Sequence, residues 1–339
     1  MNLALIYLII GPFFLFILSQ LLTKLNFLVE KVDKSSHKKF FSLQKNKTYS
    51  GGLFLLITLV LFVFEKNFFF LTSLILIFLV GILSDTDLVS SPKIRLFIQF
   101  LIIVIFVNYT NILVEETRIE IIDNLLKNNI FKITFTIFCF LILINGCNFM
   151  DGTNSLLIGY FLIVSICIYA VSNSAIIIFE ENYFEIVIYC FFILFLFNFF
   201  SKIIMGDSGA YLIGFLFGYY AIVFSNENLN ISPIYILNLL WYPAFENLFS
   251  ILRKLKSKIN ISTPDNFHLH HFIYLELNKK FKKNNFNNSL TGVIINLFNL
   301  ILLIIASFFA NHSAYLSIIL GFSISTYLIT YYLLKKKNT

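Results

Sequence analysis

Apolar runs of roughly 14 to 21 residues recur from one end of this chain to the other, each close to the length a helix needs to cross a bilayer. In hydrocarbon no water is available to the backbone, so every N–H and C=O must be satisfied within the spanning segment. That requirement leaves an all-α, polytopic transmembrane helical bundle. The rest of the composition agrees: 58% of the 339 residues are hydrophobic and 13% charged, against roughly 25% charged in a soluble domain. Mean hydropathy is +0.85.

The runs predict about eleven spans, with cores at Leu3–Leu22, Gly52–Phe64, Phe68–Leu83, Ile94–Val107, Ile130–Ile144, Leu156–Val171, Phe184–Phe200, Tyr211–Phe224, Ile234–Ile251, Leu290–Phe309 and Tyr315–Leu334. The second and third are separated only by Glu65, Lys66 and Asn67, which suggests a tight hairpin. Met1 to Ser19 lacks a basic leader region and is expected to stay as the first span. Of the 25 Lys and Arg residues, all but Lys66, Arg118, Lys127 and Lys132 fall on one side of this arrangement. Basic residues collect on the cytoplasmic side, so the N-terminus is expected outside and the Lys335-Lys336-Lys337 tail inside. Residues 1–339 read as a single membrane domain, with loops 22–51, 84–93, 145–155, 201–210 and 252–289 forming its cytoplasmic face. Cys139, Cys147, Cys167 and Cys190 lie in or beside apolar runs without ligand spacing and read as small core residues.

Four polar clusters fall on that face: Ser84-Asp85-Thr86-Asp87, the segment from Asn145 to Asn154, Lys202 to Gly209, and His268-Leu269-His270-His271. Carboxylates at the ends of membrane helices are functional candidates by default, and four clusters on one face outweigh a reading as solvated loop charge. Asp85 and Asp207 supply hard oxygens from separate loops, which suits Mg²⁺, with Mn²⁺ as a substitute, and suits transfer of a phosphoryl group from a diphosphate. Asn148 and Asp151 would lie one helical turn apart and can hold a sugar hydroxyl and a proton, although a helix N-cap is the plainer role for Asp151. Arg253, with the basic stretch around it, and the three imidazoles suit a uridine diphosphate better than zinc, for which four protein ligands are not in sight.

With these residues in view, the chain resembles the polyprenyl-phosphate N-acetylhexosamine-1-phosphate transferase family, which is related to the phospho-N-acetylmuramoyl-pentapeptide transferase. The resemblance runs from His37-Lys38 and Gly51-Gly52 through Ser91-Pro92-Lys93-Ile94-Arg95, Asn145-x-x-Asn148-Phe149-Met150-Asp151-Gly152 and Met205-Gly206-Asp207-Ser208-Gly209 to His268-x-His270-His271. It implies a membrane enzyme that moves a sugar 1-phosphate from a UDP-sugar to undecaprenyl phosphate and releases UMP, to begin a cell-surface polysaccharide such as an O-antigen. By the same resemblance Asp207 and Asp85 would hold Mg²⁺, Asp151 would be catalytic, and Lys38, Asn148, Asn154, Lys202, Arg253, His268, His270 and His271 would contact substrate. The lipid bilayer is an expected partner, nucleic acid is not, and room is left for a homodimer. The rival readings are the muramoyl-pentapeptide transferase and, in another class, a lipid-carrier flippase. Two departures stand out. Ser84 replaces the first acid of the family's Asp-Asp pair, leaving Asp87 as a candidate substitute, and Asn154 replaces a second acid after Asp-Gly.

Overall fold

The computed structural model describes residues 3–29, 47–62, 68–172, 181–261, 263, 265–281 and 285–338. Within them the chain is helical throughout: α1 (Leu3–Lys24), α2 (Ser50–Phe62), α3 (Phe68–Asp85), α4 (Pro92–Thr110), α5 (Glu120–Leu126), α6 (Asn129–Met150), α7 (Leu156–Ser172), α8 (Glu181–Phe199), α9 (Gly206–Glu227), α10 (Pro233–Lys256), α11 (Leu269–Lys280), α12 (Asn285–Phe308) and α13 (Ser313–Asn338). Among the described residues the only extended pairings are two isolated bridges, Val29 with Thr48 and Thr48 with Ile203. Seven helices (α1, α3, α4, α6, α9, α12 and α13) are long and apolar enough to cross a membrane. Shorter apolar helices are α2, α7 and residues Phe184–Phe199 of α8. The hairpin expected over Glu65 to Asn67 lies outside the described residues.

Local chemistry sets several boundaries. Asn128 caps α6 by accepting from the backbone N–H groups of Ile130 and Phe131. Ser232 does the same for α10 from Ile234, and Pro233 occupies the first helical position, where no N–H is needed. Helix α10 runs past the expected end at Ile251 to Lys256, and its last turn carries Arg253, Lys254 and Lys256, which favour the negative end of the helix dipole.

Helix α9 is the axis of the bundle. In its spanning window 83% of residues are buried, against 22% in α1 and in α13, whose large side chains, such as Phe13, face outward. Around α9 pack α2, α3 and α6, with α10 behind α6 and α12 against α7. The approach of α3 to α9 depends on Gly81. A Cβ there would lie 2.2 Å from the Cα of Ser208 and 2.5 Å from its backbone nitrogen. Gly52 on α2 meets Gly209 in the same way, at 2.7 Å from its nitrogen. Backbone cannot rotate away as a flexible side chain can. Gly81→Ala is therefore expected to push α3 off the first turn of α9 and cost about 3 kcal/mol, at the upper end of overpacking penalties. A thermal unfolding curve in detergent checks this, and an unshifted midpoint would show that α3 tolerates the methyl.

Candidate active site

The start of α9 determines the site. Met205, at its N-cap position, offers no side-chain acceptor, so the first-turn N–H groups need partners from elsewhere. Two carboxylates from other helices supply them. Asp85, the last residue of α3, accepts from the backbone of Asp207 at 2.8 Å through Oδ1, and through Oδ2 from the backbone and hydroxyl of Ser208 at 3.0 and 2.7 Å. Asp151, just past the end of α6, accepts from the Gly206 nitrogen at 3.0 Å through Oδ2. Asp151 is thus a capping residue as well as a candidate catalyst, but it caps α9 rather than the helix that follows it. Gly206 has φ +71°, and a Cβ there would lie 2.7 and 2.9 Å from the Asp85 oxygens. No other residue type fits as close to the carboxylate.

Asp207 adds a third carboxylate in the first turn of α9. Its Oδ2 accepts from the Ser84 hydroxyl and, at 2.5 Å, from Nη1 of Arg95, which also donates to Ser84. Arg95 lies one turn into α4, its side chain 17% exposed, and sequence reading did not place it in the site. A hydroxyl therefore stands against Asp207 where the resemblance implied an acid. Asp87 is exposed in the turn that follows, at φ +61°.

A second pairing completes this end of the bundle. The Ile204 nitrogen donates to the Thr48 carbonyl at 3.0 Å and the Gly51 nitrogen to the Ile204 carbonyl at 3.2 Å, fixing the start of α2 beside the turn that leads into α9. Lys47, only 6% exposed, precedes this pair and was not singled out from sequence. Lys38 lies outside the described residues. Lys202 is exposed, and Asn148 is half-buried in the last turn of α6, one turn before Asp151. The Asn154 side chain is buried and donates to Ser201 at 2.7 Å and Ser289 at 3.4 Å, which ties the loop to its neighbours.

The histidine cluster meets the acidic centre at Gly152, where a Cβ would come within 2.7 Å of Nε2 of His270. His268 lies 5.2 Å from the Phe149 ring, and the rings of His270 and His271 are 4.4 Å apart. Arg253 reaches both oxygens of Asp265, at 3.0 and 3.1 Å, and lies over the Phe267 ring at 5.6 Å, ordering the stretch that leads into α11. Burial would raise the Asp265 carboxyl, but His268 and the Arg253 guanidinium outweigh it and hold it below its usual range. Burial, with His271 and His268 alongside, holds the His270 imidazole well below its ordinary value, so it is neutral near pH 7. Unfolding releases that constraint. Below the ordinary histidine value the unfolded chain binds a proton that the native chain does not, so stability falls as pH falls. The expected contribution is about 1.4 kcal/mol per pH unit below roughly pH 6. His270→Gln should flatten the acid side of a plot of unfolding midpoint against pH, and an unchanged slope would remove His270 as its source.

Fold and site together define a multi-pass helical membrane protein with three carboxylates and three imidazoles gathered at one end of its bundle. The profile of the family described as glycosyl transferase family 4 matches residues 67–225, a stretch that contains Asp85, Arg95, Asp151 and Asp207. The chain is 28% identical, over 68% of its length and 68% of the relative's, to an undecaprenyl-phosphate alpha-N-acetylglucosaminyl 1-phosphate transferase of Thermotoga maritima. It is 24% identical, over 75% of its length and 73% of the relative's, to a probable undecaprenyl-phosphate N-acetylglucosaminyl 1-phosphate transferase of Bacillus subtilis. Residues 67–225 of this membrane protein thus resemble glycosyl transferase family 4, and both relatives carry the name of an undecaprenyl-phosphate N-acetylglucosaminyl 1-phosphate transferase.

Proposed function

We propose that this enzyme transfers an N-acetylhexosamine 1-phosphate from its UDP-sugar to undecaprenyl phosphate, releasing UMP, as the first step of a cell-surface polysaccharide. The carrying observation is the meeting of Asp85, Asp151 and Asp207 at the start of α9, with His270 against Gly152. An oxygen of the lipid phosphate attacks the β-phosphorus of the donor. The bond from that phosphorus to the oxygen bridging the α-phosphorus breaks, and the electron pair leaves with UMP.

Electrostatics supports a divalent cation. The N–H groups of α9's first turn, which elsewhere form an anion site, are already taken by carboxylates. Among the described residues three carboxylates, Asp85, Asp151 and Asp207, gather at the start of α9, with Arg95 on Asp207. The donor set is hard oxygen, and among the described residues no group of three His, Cys, Asp or Glu side chains forms a protein cage for a metal. Mg²⁺ takes one or two carboxylates and completes its shell with water and phosphate oxygens, so these residues fit it. Asp207 would hold the ion, which when bound supplies neutralisation of charge on the diphosphate, and Asp85, both oxygens of which accept from α9, fixes the turn that carries Asp207. Arg95 orients the Asp207 carboxylate, Asp151 is placed to hold a substrate proton or hydroxyl, and the histidine cluster receives the donor's uridine diphosphate end.

Eleven crossings follow if α2, α7, α8 and α10 also span, with the N-terminus outside and the site at the cytoplasmic face of a bacterial plasma membrane. The test is UMP release by the purified full chain from a panel of UDP-sugars, with undecaprenyl phosphate, with and without Mg²⁺, and mass spectrometry of the lipid product. Absence of UMP with every donor, or a lipid product without a second phosphate, overturns the reading.

A further inference from the structure

One buried charge takes no part in the chemistry above. Glu246 sits in the middle of α10 and is 1% exposed. Its Oε1 is 2.7 Å from Nδ1 of His268, the N-cap residue of α11, and its Oε2 accepts from the Tyr327 hydroxyl of α13 at 2.5 Å. Three helices thus converge on one carboxylate. Burying an ion costs several kcal/mol before its partners offset it, and a well-packed apolar side chain would join the same helices at less cost. An ionisable residue inside a membrane helix is retained for a role.

The partner it holds faces the site. With Nδ1 directed at Glu246, the other ring nitrogen of His268, Nε2, lies on the side of Asp265, 3.6 Å from Oδ1. The ring is stacked on His270 at 5.4 Å and 8°, and lies against Phe149, two residues before Asp151. The titratable and charged groups around it are Glu246, Arg253 and Lys254 on α10, Asp265 in the preceding loop, His270 and His271 on α11, and Tyr327 on α13.

We propose that Glu246, locked by Tyr327, is the positioning residue for His268, fixing Nδ1–H inward so that Nε2 is the nitrogen presented to the nucleotide-sugar. This rests on the function proposed above. A carboxylate on the inner nitrogen fixes the tautomer and ring plane. The last helix, outside the stretch matched by the family profile, thereby becomes part of the donor site.

The test uses the full chain in detergent, with UDP-N-acetylglucosamine and undecaprenyl phosphate. Glu246→Gln is expected to lower kcat about 10- to 100-fold, in line with lost carboxylate–histidine support, and to change the donor KM less. Glu246→Asp should recover part of the rate, and Tyr327→Phe, which leaves the carboxylate in place, should lower kcat by less. In a His268→Asn background Glu246→Gln should cost nothing further. Equal losses in both backgrounds would show that Glu246 only joins helices, and would overturn the proposal. ¹⁵N-histidine NMR gives a readout independent of turnover: His268 should show a fixed Nδ1–H in the wild type and lose it in Glu246→Gln. Unchanged signals overturn the positioning role even in an active enzyme, whereas an inactive wild type with the expected signals overturns only the transferase reading.

Discussion

Asp207→Asn should reduce UMP release about 10³-fold while leaving the thermal unfolding midpoint close to that of the wild type. The asymmetry follows from what the side chain touches. Asp207 is 27% exposed in the first turn of α9, and its carboxylate meets the Ser84 hydroxyl and the Arg95 guanidinium. An amide keeps an acceptor oxygen for both donors, and a solvent-accessible ion pair contributes about 1 kcal/mol or less. The helix itself is held through the Asp207 backbone, which donates to Asp85 and is unaffected by the change. What the amide removes is a full negative charge from the centre where the proposed chemistry needs a cation held against a diphosphate. Parallel measurement of kcat and unfolding midpoint separates the two effects. A variant that turned over at the wild-type rate would remove Asp207 from the site, and one that lost both stability and rate would make it a structural residue.

The gathering of four polar clusters at one end of the bundle was legible from the sequence, because each follows or precedes an apolar run and the runs alternate in direction. The partners within the gathering were not. Asp85 and Asp151 read as ligands or catalysts, yet both also cap α9, since Met205 gives that helix no acceptor of its own. Nothing in the local sequence of α9 records where its missing cap comes from. Asn154, whose motif position implied a substrate contact, also holds the structure, its amide donating to Ser201 and Ser289. A polar residue in an apolar chain has the same sequence signature whether it satisfies protein or ligand. Glu246 did carry a usable signal, being a single charge inside an apolar run. Helices α5 and α11 fell inside segments read as loops. The first has only seven residues, too few to show a helical period, and the second mixes three basic or acidic side chains with its apolar face over Leu269–Lys280.

Asp85→Ala is expected to fail in the opposite order from Asp207→Asn, with stability lost first and activity lost as a consequence. The Asp85 carboxylate accepts three hydrogen bonds from residues 207 and 208, and Ser208 is fully buried. Truncation leaves those donors facing an apolar methyl where Gly81 and Gly52 have already brought the helices too close for a replacement side chain to enter. Each stranded donor costs about 1–3 kcal/mol, so a loss of about 3–5 kcal/mol is expected, enough to unfold a marginal membrane domain. Asp85→Asn should fall between wild type and alanine, because one amide oxygen still accepts while the NH₂ group meets another donor. The rate should track the fraction folded, since the displaced first turn of α9 carries Asp207 away from Arg95. Unfolding midpoints of the three proteins in one detergent, read beside their UMP release, decide the matter. If alanine at 85 melted with the wild type yet turned nothing over, Asp85 would be a ligand of the reacting centre and the cap on α9 incidental.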